Sequence, residues 1–305
     1  MALPSREPLP QGFLNLHKPI GMTSHDCVGA VRRLFNIRKV GHGGTLDPTA
    51  TGVLPIAVGR ATRLLPYLAP DKAYEAVVRF GITTGSDDLE GEILSRTPSP
   101  QLNPEMIEPL LPEFQGAIQQ VPPAFSAIQV KGQRLYALAR KGKPVDVPSR
   151  TVTIHHIEII HWQPGDYPEV TLAIDCGPGT YIRSIARDLG EKVGCGATLV
   201  GLVRTRSSGF ELSNSLTLET LEARLDQGHI PLDPVTVALE HLPAVILDSD
   251  QARRWCLGQK IAPPVSLDWE VVYRVLDEQG TFLGIAQLRD EEAPILKAKM
   301  VFHQP

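Results

Sequence analysis

Residues Gly41 to Gly52 read GHGGTLDPTATG, a glycine-rich turn that carries one histidine and one aspartate but no lysine. Backbone this bare can press against a flat ligand while holding Asp47 in a fixed place. The glycine spacing and the Lys-Ser/Thr ending that grip a nucleoside triphosphate are missing, so this is not a phosphate loop. What the turn offers is a positioned carboxylate. Asp47 followed by Pro48 is also a helix-start pattern, with the aspartate as cap and proline at the first helical position. Two remote residues, Arg183 and Tyr74, weigh against that simpler use.

Val170, Leu172, Ile174 and Cys176 alternate as a strand that ends at Gly177-Pro178-Gly179. Ile182, Ile185, Ala186, Leu189 and Val193 then recur at helical spacing and form a buried stripe. Arg183 lies off that stripe in the first turn, at the positive end of the helix dipole, where a cation costs a few tenths to about 1 kcal/mol. An anion should compensate it. From Ala73 to Gly81 the chain alternates again, with Tyr74, Ala76, Val78 and Phe80 on one face. On that pattern Tyr74 is a core aromatic, but its place at the start of the strand lets it reach a cleft.

The elements that must carry these residues are equally readable. Phe13 to Leu16 predicts a strand and Lys18-Pro19-Ile20-Gly21 a turn. Thr23 with Asp26 three residues on predicts a capping box, opening a helix with Val28, Val31, Leu34 and Phe35 inward. A helix is expected near Pro104 to Gln115 and another near Leu218 to Leu225. Strands are expected at Val271 to Leu276 and Leu283 to Leu288, so a small barrel-like domain from about residue 245 fits. The 305 residues allow one large domain and a smaller one.

Composition is ordinary for a globular protein, 42% hydrophobic and 21% charged. No apolar run approaches membrane-spanning length and MALPSREPLPQGF carries no signal-like segment, so a cytoplasmic location is expected. Cys27, Cys176, Cys195 and Cys256 are too scattered for a zinc site or a disulfide framework. His155, His156 and His161 lie in an extended segment whose neighbouring side chains alternate, which argues against a metal. The net charge of -4 conceals a segregated pattern. From Val121 to Arg150 the bases Lys131, Arg134, Arg140, Lys141, Lys143 and Arg150 face a single acid, Asp146, whereas Thr84 to Ile118 is strongly acidic. A solvated loop and a polyanion contact are both open for the basic run.

Six ordered motifs carry a resemblance: LNLHKPIGMTSHD, RKVGHGGTLDPTATGVLPIAVGRAT, KAYEAVVRFG, VPPAFSAIQVKGQRLYALARKG, GTYIRSIARDLG and LVRTRSSGF. Through most of its length the chain resembles the TruB family of tRNA pseudouridine synthases. The resemblance implies an α+β fold, a mixed and largely antiparallel central sheet with flanking helices over residues 9–240. It also implies a small β-rich PUA-like RNA-binding domain over 245–305 and a basic RNA-binding arm at about 121–150. The implied reaction is isomerisation of uridine to pseudouridine at position 55 of the tRNA T loop, with no cofactor and no metal. It implies a tRNA T stem-loop as partner, no membrane, no obligate protein partner and a monomer.

Carried over by position, Asp47 is the catalytic aspartate, Arg183 its partner, and Tyr74 the aromatic that stacks on the base and assists proton transfer. Tyr74, Tyr181 and Leu202 would line the uracil pocket, and His42 would take the space left by the extracted nucleotide. Lys18 and Arg204 are expected at the substrate, with Lys18 shaping the cleft. Lys131, Arg134, Arg140, Lys141 and Lys143 are expected on RNA phosphates. Gly43 follows His42 where the family often has threonine, removing a hydroxyl. Three rivals remain at this level: a glycoside hydrolase pairing Asp47 with Asp87 or Asp88, an RNA chaperone without chemistry, and a guide-RNA-dependent synthase subunit. Asp47 could act by attack at C1′ or by removing a ribose proton.

Overall fold

The computed structural model describes residues 10–123, 129–130, 133–134, 147–290 and 294–302. Lys131, Arg140, Lys141 and Lys143 lie outside the described residues. Arg134 falls in a two-residue strand, Gln133–Arg134, that pairs with Gln129–Val130, its side chain not being described.

Nine strands form the central sheet: β1 (Gly12–Lys18), β2 (Val40–His42), β3 (Thr51–Val58), β4 (Lys72–Phe80), β5 (Gly116–Gln120), β6 (Arg150–Gln163), β7 (Glu169–Cys176), β8 (Ala197–Ser207) and β9 (Phe210–Glu211). Their order is β1-β3-β8-β4-β7-β6-β5, with β2 beside β3 and β9 beside β8. Among the described residues only the β3–β8 pair of this sheet is parallel, so the sheet is mixed and largely antiparallel. Apolar alternation builds it: Tyr74, Ala76, Val78 and Phe80 of β4 point into one cluster with Val170, Leu172 and Ile174 of β7.

Helix α1 (Ser24–Phe35) opens with the Thr23/Asp26 capping box and packs Cys27, Val28 and Val31 on Leu14, Leu16, Leu54 and Ile56. Helix α2 (Ile182–Val193) lays Ile182, Ile185, Ala186 and Leu189 on the β4–β7 face. Helix α3 (Leu218–Asp226) inserts Leu221 beside α1. The opposite faces of β1 and β3, through Phe13, Val53 and Ala57, share a cluster with Phe282, Ile285, Met300 and Phe302. Those last residues belong to a four-stranded sheet of β10 (Ala244–Leu247), β11 (Val272–Asp277), β12 (Phe282–Arg289) and β13 (Ile295–Val301), in that order, with helix α4 (Ser249–Cys256) between its first two strands.

One expectation needs correction, and one alternative reading falls away. The helix expected over Pro104 to Gln115 is one α turn, Pro104–Ile107, followed by a 3-10 stretch, Glu108–Phe114. Pro109 and Pro112 lack the N–H groups a continuous α-helix would require. Asp47-Pro48 starts no helix; the Ala50 N–H returns to the Asp47 carbonyl at 3.1 Å and the chain passes into β3. Among the described residues no group of three or more His, Cys, Asp or Glu could hold a metal, and no helix is long and apolar enough to cross a membrane.

One line of cross-strand partners positions the site. Lys18 of β1 pairs with Gly52 of β3, Gly52 with Arg204 of β8, Arg204 with Tyr74 of β4, and Tyr74 with Ile174 of β7. Gly52 has φ +102°, and a Cβ there would collide with the Arg204 backbone. Only glycine lets these two strands approach so closely. Gly52→Ala is expected to cost about 2–4 kcal/mol of stability. Thermal unfolding measures it, and the loss should bring a fall in activity because Arg204 is displaced with the strand.

Candidate active site

The Gly41–Gly52 turn has five successive carbonyls engaged, four of them by groups outside the turn. Arg204 donates from Nη2 to Gly44 at 3.1 Å and from Nη1 to Thr45 at 3.3 Å. The Ser24 hydroxyl donates to the Leu46 carbonyl at 3.1 Å and accepts the Leu46 N–H at 2.8 Å. The Asp47 carbonyl takes Ala50 N–H, and that of Pro48 takes Gly21 N–H at 2.8 Å and Lys18 Nζ at 3.3 Å. With its backbone so engaged the turn has few alternatives, and the Asp47 side chain projects from a fixed Cα.

Arg204 and Lys18 are both fully buried. Arg204 also donates from Nε to Val53 at 2.7 Å, and Lys18 to the carbonyls of Pro19 and Met22 at 2.9 and 2.7 Å. Burial pulls both cations below their ordinary pKa values. Arg204 stays charged all the same, because a guanidinium begins so high. Neither residue, both expected at the substrate, is among those lining the cavity; each donates to carbonyls of the Asp47 turn, a placement in keeping with the cleft-shaping role expected of Lys18.

The cavity itself holds about 340 Å³ and is walled by Asp47, Lys72, Tyr74, Tyr181, Arg183 and Leu202, with the backbone of Gly44, Gly177 and Gly179 at its edges. Asp47, Arg183, Tyr74, Tyr181 and Leu202, more than a hundred residues apart in part, therefore meet. His42 lies on β2, half-buried and outside the lining, its Nδ1 accepting the Gly44 N–H at 3.3 Å. Burial, then the nearby His25 and Arg204, lower its pKa. Tyr74 is 7% exposed, and burial raises its pKa against the opposing pull of Arg204. At neutral pH it is a phenol.

Arg183 is the electrostatic centre. Its Nη2 lies 2.9 Å from Asp47 Oδ2 and its Nη1 3.3 Å from Asp88 Oδ2 and 3.3 Å from the Ser86 carbonyl. The side chains of Arg183 and Asp88 are 8% and 7% exposed, that of Asp47 39%. So the guanidinium bridges a buried carboxylate and one that opens on the cavity. The cation at a helix start thus has two compensating anions where the sequence called for one.

From sequence Asp88 enters only as an acid of the 84–118 stretch and as one of two acid partners in the glycoside hydrolase rival; its pairing with Arg183 is not foreseen there. The turn folds back because Asp87 takes φ +62° and Asp88 Oδ1 accepts the Glu90 N–H at 3.0 Å and the Ser86 hydroxyl. The Asp87 carbonyl then accepts the Leu199 N–H at 3.0 Å, tying the turn to β8. Asp87 goes elsewhere, to Arg187 at 2.9 Å. Neither acid is a free carboxyl in an apolar pocket, the arrangement a glycosidase acid needs. Lys72 was also missed, although the KAYE motif contains it.

Comparison with known proteins gives the family. A model of the TruB family pseudouridylate synthase N-terminal domain matches residues 32–182. The tRNA pseudouridylate synthase B C-terminal domain matches 183–252, and the C-terminal model of pseudouridine synthase II TruB matches 243–302. The tRNA pseudouridine synthase B of Gloeothece citriformis is 56% identical over 279 residues, 91% of each chain. The chain belongs to the TruB family of pseudouridine synthases. Another member, the tRNA pseudouridine synthase B of a Synechocystis species, is 52% identical over 96% of this chain and 99% of its own. Among solved structures, one of a Cbf5-Nop10-Gar1 complex superposes with a TM-score of 0.75 at 26% identity, covering 96% of this chain and 85% of that one. Family membership makes the protein an isomerase and sets aside the hydrolase and the chaperone without chemistry.

Asp88→Asn removes one of the two charges on Arg183 and leaves a buried guanidinium with a weaker partner. The rate of pseudouridine formation in single-turnover conditions should fall about 10- to 100-fold. RNA affinity should be unchanged in a filter-binding assay, because Asp88 faces Arg183 and not the cavity.

Proposed function

We propose that this protein converts uridine to pseudouridine at position 55 in the T loop of tRNA, with Asp47 as the essential carboxylate. The observation that carries the reading is the 2.9 Å pairing of Asp47 with Arg183 on the wall of a cavity that also presents Tyr74, Tyr181 and Leu202. The relatives named tRNA pseudouridine synthase B, at 50 to 56% identity over most of the chain, supply the substrate class.

The reaction breaks the bond from ribose C1′ to uracil N1, turns the base, and joins C1′ to C5, with no net gain or loss of atoms or electrons. Cleavage develops positive charge at the sugar, which an oriented carboxylate stabilises by proximity or by a covalent bond. Arg183 holds Asp47 as an oriented anion for this step, and removal of a ribose proton would draw on the same geometry. Tyr74, on the cavity wall, stacks on the base. As a phenol it is suited to a hydrogen bond or to stacking, whereas general-base work at C5 would first require its deprotonation.

The target base leaves the loop stack to enter the cavity, at a cost of a few kcal/mol. Contacts to phosphate offset that cost, and the basic segment 121–150 is the proposed arm that makes them, with Lys131, Arg134, Arg140, Lys141 and Lys143 on the backbone. His42, beside the cavity, takes the space vacated by the uridine. Residues 9–240 would form the catalytic domain and 245–305 a PUA-like domain that adds RNA contact. A single polypeptide acting as a monomer in the cytoplasm fits this reading. The likeness to Cbf5 complexes supports a guide-RNA-dependent alternative, but the far higher identity to the stand-alone synthases favours direct recognition of tRNA.

Purified protein incubated with an unmodified T-stem-loop RNA, without added metal or nucleotide, should form pseudouridine at one position, read by nucleoside mass analysis and chemical mapping. Asp47→Asn should form none while binding the RNA as the parent does. Activity retained by Asp47→Asn would contradict the assignment.

A further inference from the structure

We propose that Gln120 is a positioning residue for the reaction, setting the Tyr181 ring in the base cavity by clasping the Tyr181 backbone. The inference rests on the reading of the cavity given above. Gln120 ends β5, and its side chain is completely buried. Its Oε1 accepts the Tyr181 N–H at 2.8 Å and its Nε2 donates to the Tyr181 carbonyl at 3.0 Å. An amide has one acceptor end and one donor end, so these two partners admit a single orientation. The side chain therefore behaves as an additional strand residue, paired to one amino acid 61 positions later.

Tyr181 needs such a partner. It is the N-cap residue of α2 but makes no side-chain cap bond, and its ring turns to the cavity instead. The short polar side chains that usually stand there anchor the N-cap residue to the first-turn N–H groups, a bond that the tyrosine ring does not make. Gln120 anchors the Tyr181 main chain instead, by its own N–H and carbonyl. The same carbonyl also accepts Ser184 N–H at 3.1 Å and Ile185 N–H at 3.3 Å, so the clasp joins the first turn of the helix that carries Arg183. Next door, the Val121 carbonyl accepts the Ser184 hydroxyl and Arg187 Nη2, both at 2.9 Å. Those bonds hold β5 to α2 without touching Tyr181, which makes them an internal control.

The test is a double-mutant cycle on single-turnover pseudouridine formation at saturating enzyme, using T-stem-loop RNA. Gln120→Met keeps length and apolar volume but removes both bonds. It should slow the reaction about 10-fold or more with RNA affinity unchanged. Tyr181→Ala should be slow too, and adding Gln120→Met to it should slow it no further, since the ring being positioned is gone. Ser184→Ala should keep the parent rate. Loss of the two buried bonds lowers the melting temperature under either reading. A purely structural role would leave the rate of folded Gln120→Met at the parent value or add fully to Tyr181→Ala; either result overturns the proposal. Should Gln120→Met not fold, Gln120→Glu, which keeps the acceptor and the shape, goes through the same cycle. An inactive parent enzyme would sink the reading of the cavity, and the proposal with it. An active parent with a fast Gln120→Met would sink the proposal alone.

Discussion

A single guanidinium shared by two carboxylates sets the terms for everything else in this protein. Arg183 reaches Asp88 on the buried side and Asp47 on the cavity side. A cation bound to one anion is neutralised; bound to two, it belongs to a cluster with net negative charge, which is what a developing positive centre on a sugar requires. The cluster persists because its members come from three places that the fold cannot separate easily: a turn pinned from outside at four carbonyls, a turn tied to β8, and the first turn of α2.

The back of the site is as constrained as the front. Lys18 and Arg204 are buried cations satisfied chiefly by main-chain carbonyls. Burying a charge is costly unless every donor is used, and here the donors are spent on keeping the Asp47 turn in one shape. The cross-strand row Lys18–Gly52–Arg204–Tyr74 explains why these residues act together although they are scattered through the chain. A glycine where two backbones nearly touch, a guanidinium threaded beneath the turn, and a tyrosine on the next strand form one continuous piece of sheet.

Much of this could be read from the residues. Period-two alternation gave β4 and β7, the Thr23/Asp26 box gave the start of α1, and the apolar stripe gave α2. Arg183 was found by an electrostatic argument, because a cation in the first turn of a helix needs an anion. What escaped were contacts that depend on how remote segments return. Asp88 looks like one acid among many until the turn around Asp87 carries it back to Arg183, and no local period encodes that. Arg204 and Lys18 belong to motifs that suggest chemistry, while only the fold shows that they face the carbonyls behind the turn. Periodicity also overran the prolines at 109 and 112, whose missing N–H groups break the helix. The basic run within 121–150 is legible only as charge, and most of it lies outside the described residues.

The central claim is that Arg183 works by bridging, not by charge alone. Arg183→Lys tests it most directly, since lysine keeps the charge but offers a point donor that cannot span Asp47 and Asp88 together. The measurement is the single-turnover rate of pseudouridine formation on saturating RNA. The account predicts a loss of about 100-fold or more with RNA affinity unchanged. A lysine variant that turns over at the parent rate would contradict it.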